Sequence, residues 1–509
     1  MADKFYITTA IDYSNGSPHL GHAFEKIGAD CIARYRRLRG QRVCFVIGMD
    51  EHGWKVAQAA DEQGTDPQSW VDGIAAEFLA AWEELAISNT DFVRTTEARH
   101  KRAVNELWQR IQAAGYVEKG VYSGFYCVGC EAFKLDKDLV EGKCPEHPTR
   151  AIKWVEEPNF FFKLGAFRDR LLEFFEPREN GADFVRPKAK SNEVRNVVAE
   201  WDRDYAMSAS RASVPWGIPW PGDDSHTVYV WFEALINYLS ATGFPDAGYD
   251  EMWPADLHVI GPDILRFHAA FWPAMLLAAN LPVPGGVWCH GWVKVSDARF
   301  SKSAGVTLTL REAIDRHGPD ALRYFLLREV PWDGDGNFSL ERFDTRYTSE
   351  LADGYGNLAS RILAMINRYA GGVVPTSGTE TELDRAGDQC IAEYQNAMDA
   401  HLVHDGGTAA WRLVGRANQF VEERAPWTLA KEHKGEELAL VLAALARALC
   451  RVTIMAAPFM PSKTQSVWQA LGLQGEVTKA NWQDLVQPPT AGRSATRLAP
   501  LFPKPATNI

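Results

Sequence analysis

A run of strand-forming residues, Lys4-Phe5-Tyr6-Ile7-Thr8-Thr9, passes through a turn-rich loop, Asp12 to Pro18, into a long helical pattern. That pattern runs from about His19 to Arg39 and stops at Gly40. Two histidines, His19 and His22, stand at the junction. Residues three apart share a helix face, so both imidazoles can point at one ligand. A helix N-terminus also offers free N–H groups and a partial positive charge, which favour phosphate. The junction reads as a nucleotide site at the end of the first strand of an α/β fold, or as two unrelated histidines near a helix start.

Further strands fit the first reading. Val43 to Gly48 ends in Met49-Asp50-Glu51-His52-Gly53. Val228 to Glu233 reads as a strand leading into a helix through Tyr238. Leu257 to Ile260 ends in Gly261-Pro262-Asp263 and enters a helix bearing His268, Phe271 and Trp272. Val287 to Gly291 leads to the loop Asp297-Ala298-Arg299-Phe300-Ser301-Lys302-Ser303. Nearly continuous apolar strands between helices imply a parallel sheet covered on both faces. Carboxylates such as Asp50, at the C-terminal end of a strand, lie where such sheets bind ligands. Lys302, a mobile point charge among small hydroxyl residues, suits a phosphate that gains charge during transfer, or simply an exposed surface loop.

The 509 residues are 46% hydrophobic and 24% charged, enough for two to four domains. No run of about 18 apolar residues suggests a membrane span. The N-terminus lacks signal-peptide or transit-peptide character, so a soluble cytoplasmic protein is expected. A net charge of -12 excludes a broadly basic surface but leaves room for local RNA-binding patches. Of eight cysteines, Cys31, Cys44, Cys289, Cys390 and Cys450 are scattered among apolar residues as buried thiols. No disulfide framework is indicated.

The other three cysteines form a pattern with a histidine: Cys127-x2-Cys130, thirteen residues, then Cys144-x2-His147. Two tight pairs of soft or borderline donors suit one tetrahedral, structural Zn2+ with no open position. A redox pair would leave the second pair without a purpose. The surrounding segment, 117–219, interrupts the α/β pattern and reads as an insert.

From Glu350 onward strand signals fade. Leu438, Leu442, Leu445, Leu449 and Val452 recur at helical spacing, and similar stripes cover 350–371, 388–403 and 407–424. A helical bundle is expected there.

Pro18-His19-Leu20-Gly21-His22 together with Phe300-Ser301-Lys302-Ser303 resembles the H-I-G-H and K-M-S-K-S signatures of class I aminoacyl-tRNA synthetases. Within that class the chain resembles the methionyl-tRNA synthetases through nearly its whole length. The likeness includes Tyr13-Ser14-Asn15-Gly16, Asp50-Glu51-His52-Gly53, the cysteine knuckle and Trp231-Phe232-Glu233-Ala234-Leu235. It continues through Gly261 to His268, Gly356 to Arg361, and Ala425-Pro426-Trp427. The resemblance implies a Rossmann-like catalytic domain in two halves, 1–116 and 220–305, around the zinc-binding insert. A connector at 306–349 and a helical anticodon-binding domain at 350–509 complete it.

The same resemblance implies roles. His19, His22 and Lys302 would be catalytic, and with Gly261, Asp263, Ser301 and Ser303 would bind ATP; Mg2+ would accompany the ATP, with no dedicated ligand set visible in the sequence. Ile11, Tyr13, Asp50, Trp231, Ala234, Leu235, Tyr238 and His268 would bind L-methionine, Asp50 through the ammonium. Asn357, Arg361 and Trp427 would meet the anticodon of tRNA(Met). A monomer is expected. The chain departs from the family pattern at Arg299 and Phe300, where Lys and Met are usual, and at Pro262, where many relatives carry Lys; Arg266 is a candidate replacement. Two rival readings are a class I synthetase for another amino acid, such as cysteine, and a non-catalytic zinc-containing RNA-binding protein.

Overall fold

The structure is a computed structural model. It describes residues 3–127, 132–134, 139–145, 148, 150, 152–176, 183–201, 204–212, 214–295 and 308–504.

Its centre is a parallel sheet of seven strands. These are β1 (Lys4–Thr9), β2 (Asp12–Tyr13), β3 (Arg42–Asp50), β4 (Asp91–Arg94), β5 (Val185–Arg186), β6 (Leu257–Ile260) and β7 (Val287–Cys289). The order is β2-β3-β1-β6-β7-β5, with β4 also on β3, and every pairing is parallel. β2 resumes the line of β1 along β3, where Tyr13 lies opposite Asp50.

Side chains alternate across a strand, so β1 serves two cores. Phe5 and Ile7 join Phe45, Ile47, Leu257 and Val259 beneath helix α1 (Leu20–Leu38). Tyr6 faces the other way, with Val46, Ile260 and Val287, against Val104 and Leu107 of α2 (Ala98–Ala113). The sheet is therefore covered on both faces, which is why its strands read as unbroken apolar runs.

Two local expectations are revised. The run from Val228 to Glu233 is not a strand of this sheet. Asp223–Val228 pairs antiparallel in a separate three-stranded sheet, and Val230–Leu235 is helix α3. Its β-branched and aromatic residues favour strand, but burial of one helical face against the second core overrides that weak preference. The segment 117–219 also does not lie wholly apart from the central sheet, because β5 forms its edge beside β7. Before β5, Val117–Cys127 and Ile152–Phe162 form a long antiparallel ribbon.

After the sheet, α4 (Pro319–Glu329) leads toward a helical bundle: α5 (Asn357–Tyr369), α6 (Glu382–Asp399), α7 (Val403–Arg424) and α8 (Gly435–Ala456). By length and composition α8 could cross a membrane, but Arg447 and Arg451 interrupt its apolar run and 83% of its most apolar window is buried inside the protein. α4 and the loop after it pack on α1. Gly28 makes this possible, since a Cβ there would fall 2.0 Å from the Trp332 ring.

Candidate functional site

The C-terminal ends of β1, β3, β6 and β7 open onto a cleft of about 970 Å³. It is lined by Ile11, Tyr13, His19, His22, Asp50, Trp231, Ala234, Leu235, Tyr238, Gly261, Asp263 and His268, which were singled out in sequence as nucleotide or amino-acid contacts. Lys302, Ser301 and Ser303, with Arg299 and Phe300, lie outside the described residues.

His19 is the N-cap of α1. Its Nδ1 accepts from the backbone N–H groups of Gly21 and His22, at 3.1 and 3.3 Å, while His19 N–H donates to His22 Nδ1 at 3.4 Å. The helix end is thus less free than its sequence suggests, because the first histidine already satisfies two of its N–H groups. A backbone N–H can only donate, so both Nδ1 atoms are unprotonated acceptors and each neutral ring carries its proton on Nε2. The rings stack at 3.6 Å. Burial holds His19 below the usual imidazole range. Burial, then the neighbouring His19, holds His22 well below it. The pair therefore offers two neutral Nε2–H donors rather than two cations.

On the opposite wall, Trp231 stacks on Phe267 with centroids 4.7 Å apart and planes 8° from parallel. Tyr238 Oη and His268 Nε2 are 2.6 Å apart, and His268 Nδ1 is 3.0 Å from the carbonyl of Ile264. A carbonyl only accepts, so Nδ1 carries the proton and Nε2 accepts from the tyrosine hydroxyl. Burial pushes the His268 imidazole down to about 4. The wall is aromatic and neutral, with the polar atoms of Tyr238 and His268 paired to each other and to the backbone. Asp50 closes the cleft at the end of β3, its carbonyl accepting from Ser14 N and Oγ at 3.0 and 2.8 Å.

Gly261 precedes the short turn Pro262–Ile264. A Cβ at Gly261 would stand 3.0 Å from Asp263 Oδ1, so glycine leaves that carboxylate room. Burial raises the Asp263 carboxyl above its ordinary value. Arg266 lines the cleft with its guanidinium over the Phe267 ring, 5.2 Å from the centroid.

A buried ion network beneath His22 was missed in sequence. Lys26 Nζ donates to Asp12 Oδ1 at 2.7 Å, Glu25 Oε1 at 2.9 Å and the carbonyl of Ala10 at 2.9 Å. Glu25 Oε2 lies 3.2 Å from His290 Nε2. The network ties the first turns of α1 to the ends of β1 and β7. A signal was present: Glu25 and Lys26 follow His22 at i+3 and i+4, on the face turned toward the sheet.

Elsewhere, Cys127 ends the ribbon strand and is buried, as is Cys144 after the tight Val140–Lys143 pairing. Cys130 and His147 lie outside the described residues. In the bundle, Asn357 and Arg361 occupy one face of α5, and Arg361 Nη2 donates to Glu422 Oε1 at 2.6 Å near the end of α7. Trp427 follows in the next turn and is 42% exposed, unusual for so large an apolar side chain.

Two family models match the chain: "tRNA synthetases class I (M)" over residues 5–153 and 148–363, and "Anticodon binding domain of methionyl tRNA ligase" over 371–506. The chain belongs to the methionyl-tRNA synthetase family. Methionine–tRNA ligase of Thermotoga maritima is 39% identical over 98% of the chain and 80% of that protein. The Streptomyces coelicolor ligase is 38% identical over 99% of the chain and 97% of that protein. The Mycobacterium tuberculosis methionyl-tRNA synthetase in complex with methionyl-adenylate superposes with a TM-score of 0.92, at 35% identity, covering 98% of this chain and all of that one. The free form of that enzyme gives 0.85 at 32% identity, over 99% of this chain and 98% of that one. These methionyl-tRNA synthetase folds span both the sheet domain and the helical bundle described above.

Proposed function

We propose that this chain ligates L-methionine to tRNA(Met) in two ATP-dependent steps. The methionine carboxylate attacks the α-phosphate of ATP, giving methionyl-adenylate and pyrophosphate. A terminal ribose hydroxyl of the tRNA then attacks the activated carbonyl and releases AMP. Such chemistry needs positioning and charge stabilisation more than a covalent nucleophile.

The observation that carries this reading is a single cleft lined by both the His19/His22 donors and the Tyr13, Trp231, Tyr238 and His268 wall. The Nε2–H groups of His19 and His22 hold the phosphates, Lys302, Ser301 and Ser303 are assigned to the same phosphates by their match to the family signature, and Mg2+ arrives with the nucleotide. Gly261 and Asp263 take the adenosine, the carboxylate accepting from ribose hydroxyls. Asp50 pairs with the substrate ammonium. Ile11, Ala234 and Leu235 with the aromatic wall enclose the thioether, which has almost no hydrogen-bonding capacity and is selected by shape and sulfur–aromatic contact, about 0.3–1.5 kcal/mol each. Asn357, Arg361 and Trp427 meet the anticodon, whose splayed bases stack on aromatic side chains.

Cys127, Cys130, Cys144 and His147 hold one structural Zn2+ that braces the insert and takes no part in the reaction. The donor set of three thiolates and one imidazole in two tight pairs supports this. We place the domain boundaries at 116/117, 219/220, 305/306 and 349/350, and regard the enzyme as a cytoplasmic monomer.

Exchange of labelled pyrophosphate into ATP, run with each of the twenty amino acids, tests the reading. Methionine should stand out. A different amino acid would identify another class I specificity, and no exchange at all would favour an RNA-binding protein without catalysis.

A further inference from the structure

The turn Asp50-Glu51-His52-Gly53 is fixed from several sides. Arg94 Nε donates to Glu51 Oε1 at 2.5 Å, Trp216 Nε1 to the carbonyl of Glu51 at 2.5 Å, and Gly53 N–H to the carbonyl of Trp216 at 2.9 Å. The remaining tie is buried behind the cleft lining. His52 Nδ1 is 2.6 Å from Glu233 Oε1, on α3. Glu233 Oε2 is 2.8 Å from His100 Nε2, and His100 Nδ1 is 3.3 Å from Ser240 Oγ. Glu233, His52 and His100 are all buried. Burial alone would raise the Glu233 carboxyl, but the two imidazoles outweigh it and hold it below the usual carboxylate range.

A carboxylate with each oxygen committed to a different ring cannot swing. It locks His52 to α3, and each end of this lock neighbours residues that line the cleft. Asp50 lies two positions before His52, while Trp231, Ala234 and Leu235 share α3 with Glu233. We infer that Glu233 is a positioning residue for the amino-acid substrate, setting the gap between the Asp50 carboxylate and the apolar wall on α3. This rests on reading the cleft as a methionine site. A substrate gripped by its ammonium at one end and its thioether at the other depends on that gap, and misplacement by about 1 Å can cost on the order of 100-fold. The nucleotide contacts at His19, His22, Gly261 and Asp263 lie on other elements and should not feel it.

The test uses Glu233→Gln in the full chain, with KM for methionine and for ATP from pyrophosphate exchange, and the methionine Kd without ATP. KM and Kd for methionine should rise about tenfold, with KM for ATP within about twofold and kcat within about threefold. A folded variant with unchanged methionine Kd, or equal losses for methionine and ATP, overturns the inference. Should Glu233→Gln fold poorly, His52→Gln severs the same bond from the other side and must give the same split. His100→Gln leaves the His52 bond in place and should move the methionine Kd by less than about threefold; a full tenfold loss there points to core stability instead. Absence of methionine-dependent exchange in the unaltered chain would overturn the substrate reading itself, an outcome distinct from an unaltered split in the variants.

Discussion

Arg323 Nη2 stands 2.7 Å from Asp30 Oδ2, with both side chains sealed from solvent. The pair joins α1, which carries His19 and His22, to α4. The same guanidinium donates to the carbonyls of Leu85, Pro458 and Phe459 at 2.9, 2.7 and 3.1 Å, so it also reaches the end of the bundle. Burial pushes the Asp30 carboxyl up, but Arg34 and Arg323 overcome this and hold it at about 2. Arg323→Met should therefore cost about 3–5 kcal/mol, because it strips a buried charge of one partner. Urea unfolding measures it; a loss below about 1 kcal/mol would contradict the role assigned to the pair.

His268 makes a pH-dependent contribution of known sign. Its imidazole titrates near 4 when folded, against 6.5 for the ordinary group. Between these values the unfolded chain binds the proton and the folded chain does not. The contribution is fully present above pH 6.5 and is lost as pH falls toward 4. His268→Asn should flatten the rise of stability with pH in that window by up to about 1.4 kcal/mol per pH unit. Unfolding at several pH values compares the two slopes; identical slopes would mean that the ring is protonated in the folded state.

Lys302→Ala should slow adenylate formation far more than it weakens methionine binding, since a charge that meets the phosphate only as it transfers acts on the transition state. Single-turnover exchange set against the methionine Kd separates the two, and equal losses would assign Lys302 to ground-state binding.

Trp427→Ala should reduce tRNA charging by about 10-fold or more while leaving pyrophosphate exchange within about twofold, as expected for loss of one stacked base worth about 1–3 kcal/mol. Collapse of exchange as well would make Trp427 a structural residue of the bundle.

Much of the site was legible because its chemistry is local. α1 begins one residue after His19 and ends one before Arg39, as apolar periodicity and Gly40 suggest. The cleft gathers Tyr13 and Asp50 because strand ends converge in a parallel sheet, while Trp231 and His268 reach it from helical segments. What escaped notice depends on partners far apart in the chain. Glu25 finds His290, His52 finds Glu233 and Asp30 finds Arg323, and no spacing rule announces such pairs. The two-residue strand β5 is too short to carry a periodic signal. His19 was visible as a candidate phosphate contact but not as the cap of its own helix, because capping by an imidazole lies outside the usual Ser, Thr, Asp and Asn preference.

The core beneath α1 does not stop at the boundary between sheet and bundle. Phe5, Ile7 and Phe24 belong to the same continuous cluster as Trp332, Tyr355, Leu445 and Phe502, with Trp332 seated where Gly28 has no side chain. Modules divided by activity therefore share one apolar core on this face of the sheet. In a calorimeter the sheet and the bundle should melt in one transition, with calorimetric and van't Hoff enthalpies in agreement for that unit. The half that reads the anticodon is a thermodynamic part of the half that makes the adenylate.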